Sequence, residues 1–128
     1  MDQVNKKKIL IIEDETQLAE MLKMRLEAED YDVVLAYDGH EGISKAREEN
    51  PDLIVLDIML PKLDGYQVCR MLKFDKTMKT IPVIMLTALG QKEDREWGKK
   101  VHADAYMTKP FETEYLLEKI SNLITEEI

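Results

Sequence analysis

Glu13, Asp14, Asp57, Thr87 and Lys109 are the residues of this chain whose types could do chemistry together. Each stands at the end of a short apolar run. Ile9-Leu10-Ile11-Ile12 leads into Glu13-Asp14, Leu53-Ile54-Val55-Leu56 into Asp57, Val83-Ile84-Met85-Leu86 into Thr87, and Ala105-Tyr106-Met107-Thr108 into Lys109. Continuous apolar runs separated by helical stretches suggest a parallel sheet buried on both faces, with its ligand crevice at the carboxyl ends of the strands. The carboxylates, the hydroxyl and the ammonium group then converge at one edge. Carboxylates that close repel one another unless a cation or proton intervenes, so the cluster implies a bound divalent metal. Mg²⁺ prefers one or two carboxylates with water and phosphate oxygens, which suits Asp14 and Asp57. The Lys109 ammonium can pair with a carboxylate or hold a phosphoryl oxygen as a point charge, and the Thr87 hydroxyl can bond the same group. Taken singly, each has a plainer explanation: acids favour a helix N-terminus, an aspartate closes a strand, and a threonine or lysine is solvated. Together they describe phosphoryl transfer to a carboxylate.

Five strand-helix units position these groups. The strands are expected over Lys8–Ile12, Asp32–Ala36, Leu53–Asp57, Pro82–Thr87 and Ala105–Thr108. A first helix near Glu15–Glu29 carries Leu18, Met21, Leu22, Arg25 and Leu26 at three-to-four spacing. The second opens at Asp38, with Glu41 placed as in a capping box, and stops before Asn50-Pro51. Asp64-Gly65 opens the third, which presents Val68, Cys69 and Leu72. A fourth near Gln91–Lys99 is weakly apolar, and a fifth from about Glu112 buries Leu116, Leu117, Ile120, Leu123 and Ile124. Strict alternation predicts a three-layer α/β/α sandwich around a five-stranded parallel sheet of flavodoxin-like order 2-1-3-4-5. Its switch point falls between the first and third strands, which end in Glu13-Asp14 and Asp57.

The 128 residues fit one domain with one core, 1–128. With 26 acidic against 18 basic residues the net charge is −8, which argues against direct contact with nucleic acid. Lys6-Lys7-Lys8 reads as a solvated lead-in. No segment approaches the roughly 18 apolar residues of a membrane span. Cys69, the single cysteine, has no disulfide partner and fits a reducing cytoplasm.

The ordered blocks Ile9–Glu15, Pro51–Asp57, Met59–Gly65, Ile81–Ala88 and Ala103–Phe111 make the chain resemble a bacterial response-regulator receiver domain, the family containing the chemotaxis regulator CheY. The blocks cover nearly the whole chain, and their order and spacing are far more specific than any one of them. The resemblance implies that Asp57 accepts a phosphoryl group from a sensor histidine kinase or phosphotransfer protein. It implies Mg²⁺, replaceable by Mn²⁺, on Asp14, Asp57 and the Met59 backbone carbonyl, with Glu13 acting mainly through water. Lys109 would neutralise phosphoryl charge and Thr87 would bond a phosphoryl oxygen, with small Ala88 leaving room. Tyr106 would follow Thr87 as a switch, altering the surface of the fourth helix, fifth strand and fifth helix for an unknown downstream protein or a second receiver. Lys109-Pro110 would be cis. Such a domain is no enzyme beyond catalysing its own phosphorylation and slow autodephosphorylation. Met59 and Leu89 would flank the phosphoryl group and, lacking strong hydrogen bonds for an attacking water, lengthen its life. One departure is His102, where the family usually has glycine; histidine tolerates positive φ better than most residues. His102 and His40 are otherwise expected at the surface, and Trp97 against the fold or at a partner surface.

Three other readings compete. A haloacid-dehalogenase-like phosphatase would need a second aspartate where Met59 stands. A flavodoxin-type FMN binder would need Ser, Thr and Gly where Glu13-Asp14-Glu15 repels a bare phosphate. A binding module that works without phosphorylation typically loses an acid of the site, and this chain keeps them all.

Overall fold

A computed structural model describes residues 6–88 and 102–125. Its strands are β1 (Lys8–Ile12), β2 (Asp32–Ala36), β3 (Leu53–Asp57), β4 (Val83–Ala88) and β5 (Ala105–Lys109). They form one parallel sheet of order β2-β1-β3-β4-β5, as expected from the alternation of elements. Among the described residues the helices are α1 (Thr16–Ala28), α2 (Gly39–Glu49), α3 (Gly65–Lys73) and a C-terminal helix (Thr113–Thr125). The stretch expected as a helix near Gln91–Lys99 lies outside the described residues.

Successive side chains of a strand point to opposite faces, so uninterrupted apolar strands need cover on both. Leu10, Ile12, Ile54, Leu56, Val83 and Met85 pack with Ile43 and Ala46 of α2 and with Val68, Cys69 and Leu72 of α3. Ile9, Ile11, Leu53, Val55, Ile84, Leu86 and Met107 pack on the other face with Leu22 and Leu26 of α1 and with Leu116 and Ile120 of the C-terminal helix. Each fully buried leucine or isoleucine contributes about 1.5–3 kcal/mol, so these two layers hold the sheet rigid beneath its carboxyl edge. Burial also pushes the Cys69 thiol up to about 12.

Several boundaries moved for local reasons. β4 starts at Val83 because Pro82 has no N–H for a ladder, although its carbonyl still accepts from Ile54 N at 2.9 Å. β5 runs one residue further, to Lys109. In α1 the expected stripe position Met21 is 42% exposed, and Ala19 is buried in its place. Asp38 caps α2 by accepting from Glu41 N at 2.8 Å, but Glu41 reaches back to Tyr37 N at 2.7 Å rather than to Asp38 N, so the box is displaced by one residue. Asn50 ends α2 in the left-handed region. Asp64 and Gln67 close a full capping box on α3. His102 takes φ 64°, the conformation anticipated from its place in the turn.

Candidate functional site

Register brings the acids together. Ile12 pairs with Leu56, so Glu13 and Asp57, one residue on, stand side by side at the ends of β1 and β3. Leu86 pairs with Asp57, while Thr87 pairs with Thr108 and Ala88 with Lys109, which puts the hydroxyl and the ammonium on the same edge. Glu13 and Asp57 are 1% and 2% exposed, whereas Asp14 faces solvent. Each of these three acids offers an oxygen within 4.8 Å of the others'.

Lys109 Nζ lies 3.1 Å from Glu13 Oε2 and 3.3 Å from Asp57 Oδ2, bridging residues far apart in the chain. The other Asp57 oxygen accepts from Met59 N at 3.1 Å, and Glu13 Oε1 accepts from Glu15 N at 3.3 Å. Burial raises the Glu13 pKa from its ordinary 4.5 to about 7, helped by the charge of Asp57 and a hydrogen bond to it and opposed by Lys109. Burial works against the Lys109 ammonium, but Asp57 and Glu13 outweigh it and hold its pKa above the usual lysine range. One ammonium against three carboxylates leaves the cluster short of positive charge. A hard divalent cation fits an all-oxygen donor set of this kind.

The structure therefore gathers Glu13, Asp14, Asp57 and Lys109. The Met59 amide abuts Asp57, and its side chain is 68% exposed at the rim. Thr87 is 3% exposed, but its hydroxyl donates to the Met107 carbonyl at 3.1 Å, toward β5 rather than into the acid cluster. Tyr106 is half-buried and packs on the layer formed by α2 and α3. Lys109-Pro110 is cis. Leu89 and Trp97 lie outside the described residues, as does the side chain of Ala88.

Gly65, expected from the sequence as a helix start, also seats the site. A Cβ there would lie 2.5 Å from the Asp57 carbonyl oxygen and 2.4 Å from Ile58 Cα, so only glycine lets α3 begin against the end of β3. The Asp64-Gly65 pair after Asp57 was the available signal.

The sequence model of the response regulator receiver domain matches residues 9–121. The alkaline phosphatase synthesis transcriptional regulatory protein PhoP of Bacillus subtilis is 50% identical over 105 residues, 82% of this chain and 43% of that protein. The chain spans about half the length of the curated relatives it matches. The expectation of no nucleic-acid partner has no support from relatives with such names. A putative response regulator from Chloroflexus aurantiacus superposes with a TM-score of 0.90 at 32% identity, covering 94% of this chain and 99% of that one. The receiver domain of sensor histidine kinase PA1611 from Pseudomonas aeruginosa, with magnesium coordinated in its active-site cleft, gives 0.87 at 29% identity over 94% and 99% of the two chains. No helix among the described residues is long and apolar enough to cross a membrane.

Proposed function

This chain belongs to the response regulator receiver domain family, and from that premise we propose that Asp57 is its phosphoryl acceptor. The observation that carries the proposal is a buried Asp57 carboxylate clustered with those of Glu13 and Asp14, with Lys109 Nζ 3.3 Å away. An Asp57 oxygen attacks the phosphorus of a phosphohistidine on a sensor kinase or phosphotransfer protein. The P–N bond breaks, and the imidazole leaves with its electron pair. Asp57 is oriented for this by the Met59 amide, and Lys109 exchanges its contact with Asp57 for one with a phosphoryl oxygen.

Asp14, Asp57 and the Met59 backbone carbonyl would hold Mg²⁺ or Mn²⁺, with Glu13 contributing mainly through water. The cation, when bound, neutralises charge on the transferring phosphoryl oxygens. The Thr87 hydroxyl then leaves the Met107 carbonyl for a phosphoryl oxygen, Tyr106 follows, and the face formed by β5 and the helices flanking it changes its affinity for a downstream protein or a second receiver. Residues 1–128 act as one receiver unit in the cytoplasm, with no reaction beyond self-phosphorylation and slow self-dephosphorylation.

Incubation with acetyl phosphate and Mg²⁺ tests this by intact mass. Wild type is expected to gain one phosphoryl adduct, Asp57→Asn none, and excess EDTA is expected to suppress it. Phosphorylation of Asp57→Asn at the wild-type rate would refute the assignment.

A further inference from the structure

We propose that the C-terminal end of α3 is a docking surface for an acidic segment of a partner protein that carries an apolar anchor. Arg70, Lys73, Lys76 and Lys79 face only one acid, Asp75, within ten residues, which makes this stretch net +3 in a chain of net −8. Among the described residues, Asp75 and Asp104 are already engaged. Asp75 accepts from Thr77 N at 2.8 Å and Thr77 Oγ1 at 2.6 Å, and lies 4.0 Å from Arg47. Asp104 accepts from Lys73 Nζ at 2.6 Å and Val83 N at 2.8 Å. Arg70, Lys76 and Lys79 are exposed, and among the described residues no carboxylate pairs with them.

The same stretch carries two exposed apolar side chains. Phe74 is 68% and Met71 45% exposed. The Arg70 guanidinium lies 5.9 Å from the Phe74 ring centroid, and the His102 ring meets Phe74 edge-on at 6.1 Å and 78°. A ring held by two neighbours loses little freedom when a partner covers it, and aromatic residues with arginine dominate binding hot spots. Cations that no described carboxylate pairs with call for carboxylates from a partner, and the ring calls for one apolar side chain among them. A short acidic segment meets both requirements. An extended polyanion such as nucleic acid would run past the patch into the field of a chain of net −8, within a screening length of about 8–10 Å.

The surface is remote from the acid cluster. α3 begins against the end of β3, where Gly65 N donates to the Ile58 carbonyl at 3.1 Å, and it runs to Lys73, which donates to the Ile81 carbonyl at 2.8 Å ahead of β4. Docking there is consequently independent of Asp57.

The ¹⁵N-labelled full chain, titrated with a short synthetic peptide of aspartates and glutamates around a central leucine-phenylalanine pair, provides the test. Saturable amide shifts are expected over residues 70–79 and at His102, weakening as NaCl approaches about 0.5 M. Phe74→Ser should weaken binding at least about tenfold, and so should the triple change Arg70→Ser, Lys76→Ser, Lys79→Ser, which leaves the ring in place. Asp57→Asn should bind like wild type. Absence of saturable shifts, or wild-type affinity in either altered protein, would overturn the proposal. Shifts at the same amides with duplex DNA or phosphatidylserine vesicles but not the peptide would overturn it equally.

Discussion

Glu13 is where charge and burial conflict most sharply. Its carboxyl is 1% exposed and its pKa stands at about 7 against an ordinary 4.5, first through burial and then through Asp57. The folded protein therefore binds a proton more tightly than the unfolded chain between these values. Where the native state holds more protons, stability falls as pH rises. We expect the metal-free protein to lose stability from about pH 4.5 to about pH 7 and to level off above. Glu49 and Asp75, held below the usual carboxylate range by Lys8 and Thr77 respectively, act only at more acid pH. Saturating Mg²⁺ favours the ionised carboxylate and should flatten the decline; urea melts across the range with and without Mg²⁺ measure it, and Glu13→Gln should remove it. Met59 belongs to the same scale. It stands two residues beyond Asp57 with a side chain that offers water no strong hydrogen bond, so Met59→Asn should shorten the half-life of the phosphorylated protein. A half-life equal to or longer than wild type in a mass-spectrometric decay series would remove that role.

Between the elements, glycine and lysine do the joining. Gly39 lets the start of α2 lie against the loop after β3, since a Cβ would come within 2.5 Å of the Leu63 carbonyl oxygen and 2.8 Å of Val68. Lys73 does more with one ammonium group. At the end of α3, with its side chain 8% exposed, it donates to the carbonyls of Lys79 and Ile81 and pairs with Asp104, ahead of β5. Removing the donor strands a buried carbonyl and a carboxylate that also caps Val83 N. Lys73→Met is expected to lower stability by about 2 kcal/mol, which is less than a fully buried pair would give because Asp104 is 37% exposed. Thermal denaturation checks it, and an unchanged midpoint would show the ammonium to be replaceable by apolar packing.

At the scale of the whole molecule, the two sides of the sheet are unequally placed to sense the site. The Thr87 hydroxyl is bonded to the Met107 carbonyl, and Met107 packs with Leu116 and Ile120 of the C-terminal helix. On the proposed function, a phosphoryl group that drew this hydroxyl away would disturb β5 first and that helix next. Tyr106, adjacent to Met107, is half-buried and packs on the opposite layer, so it is the member of β5 that carries a change to that side. Amide shifts on phosphorylation should thus concentrate in β5 and the C-terminal helix and be small along α2. Changes confined to α2 and α3 would exclude this route.

Much of this arrangement was legible in the one-dimensional pattern. Ile9–Ile12, Leu53–Leu56 and Val83–Leu86 are apolar without interruption, and burial on both faces is the condition that permits such runs in strands. Parallel order then forced Glu13, Asp57 and Lys109 to one edge, because every strand must point the same way. The turn at His102 and the caps at Asp38 and Asp64 are local, so a few neighbouring residues decided them. Contacts that link distant segments were decided only by tertiary packing. They include Lys109 bridging Glu13 as well as Asp57, Thr87 turning to Met107, Lys73 reaching Asp104, and Phe74 standing exposed between Arg70 and His102. Hydrophobic periodicity specifies which face of an element is buried; the angle and distance at which two buried faces meet then fix which polar tips touch, and no single segment carries that information.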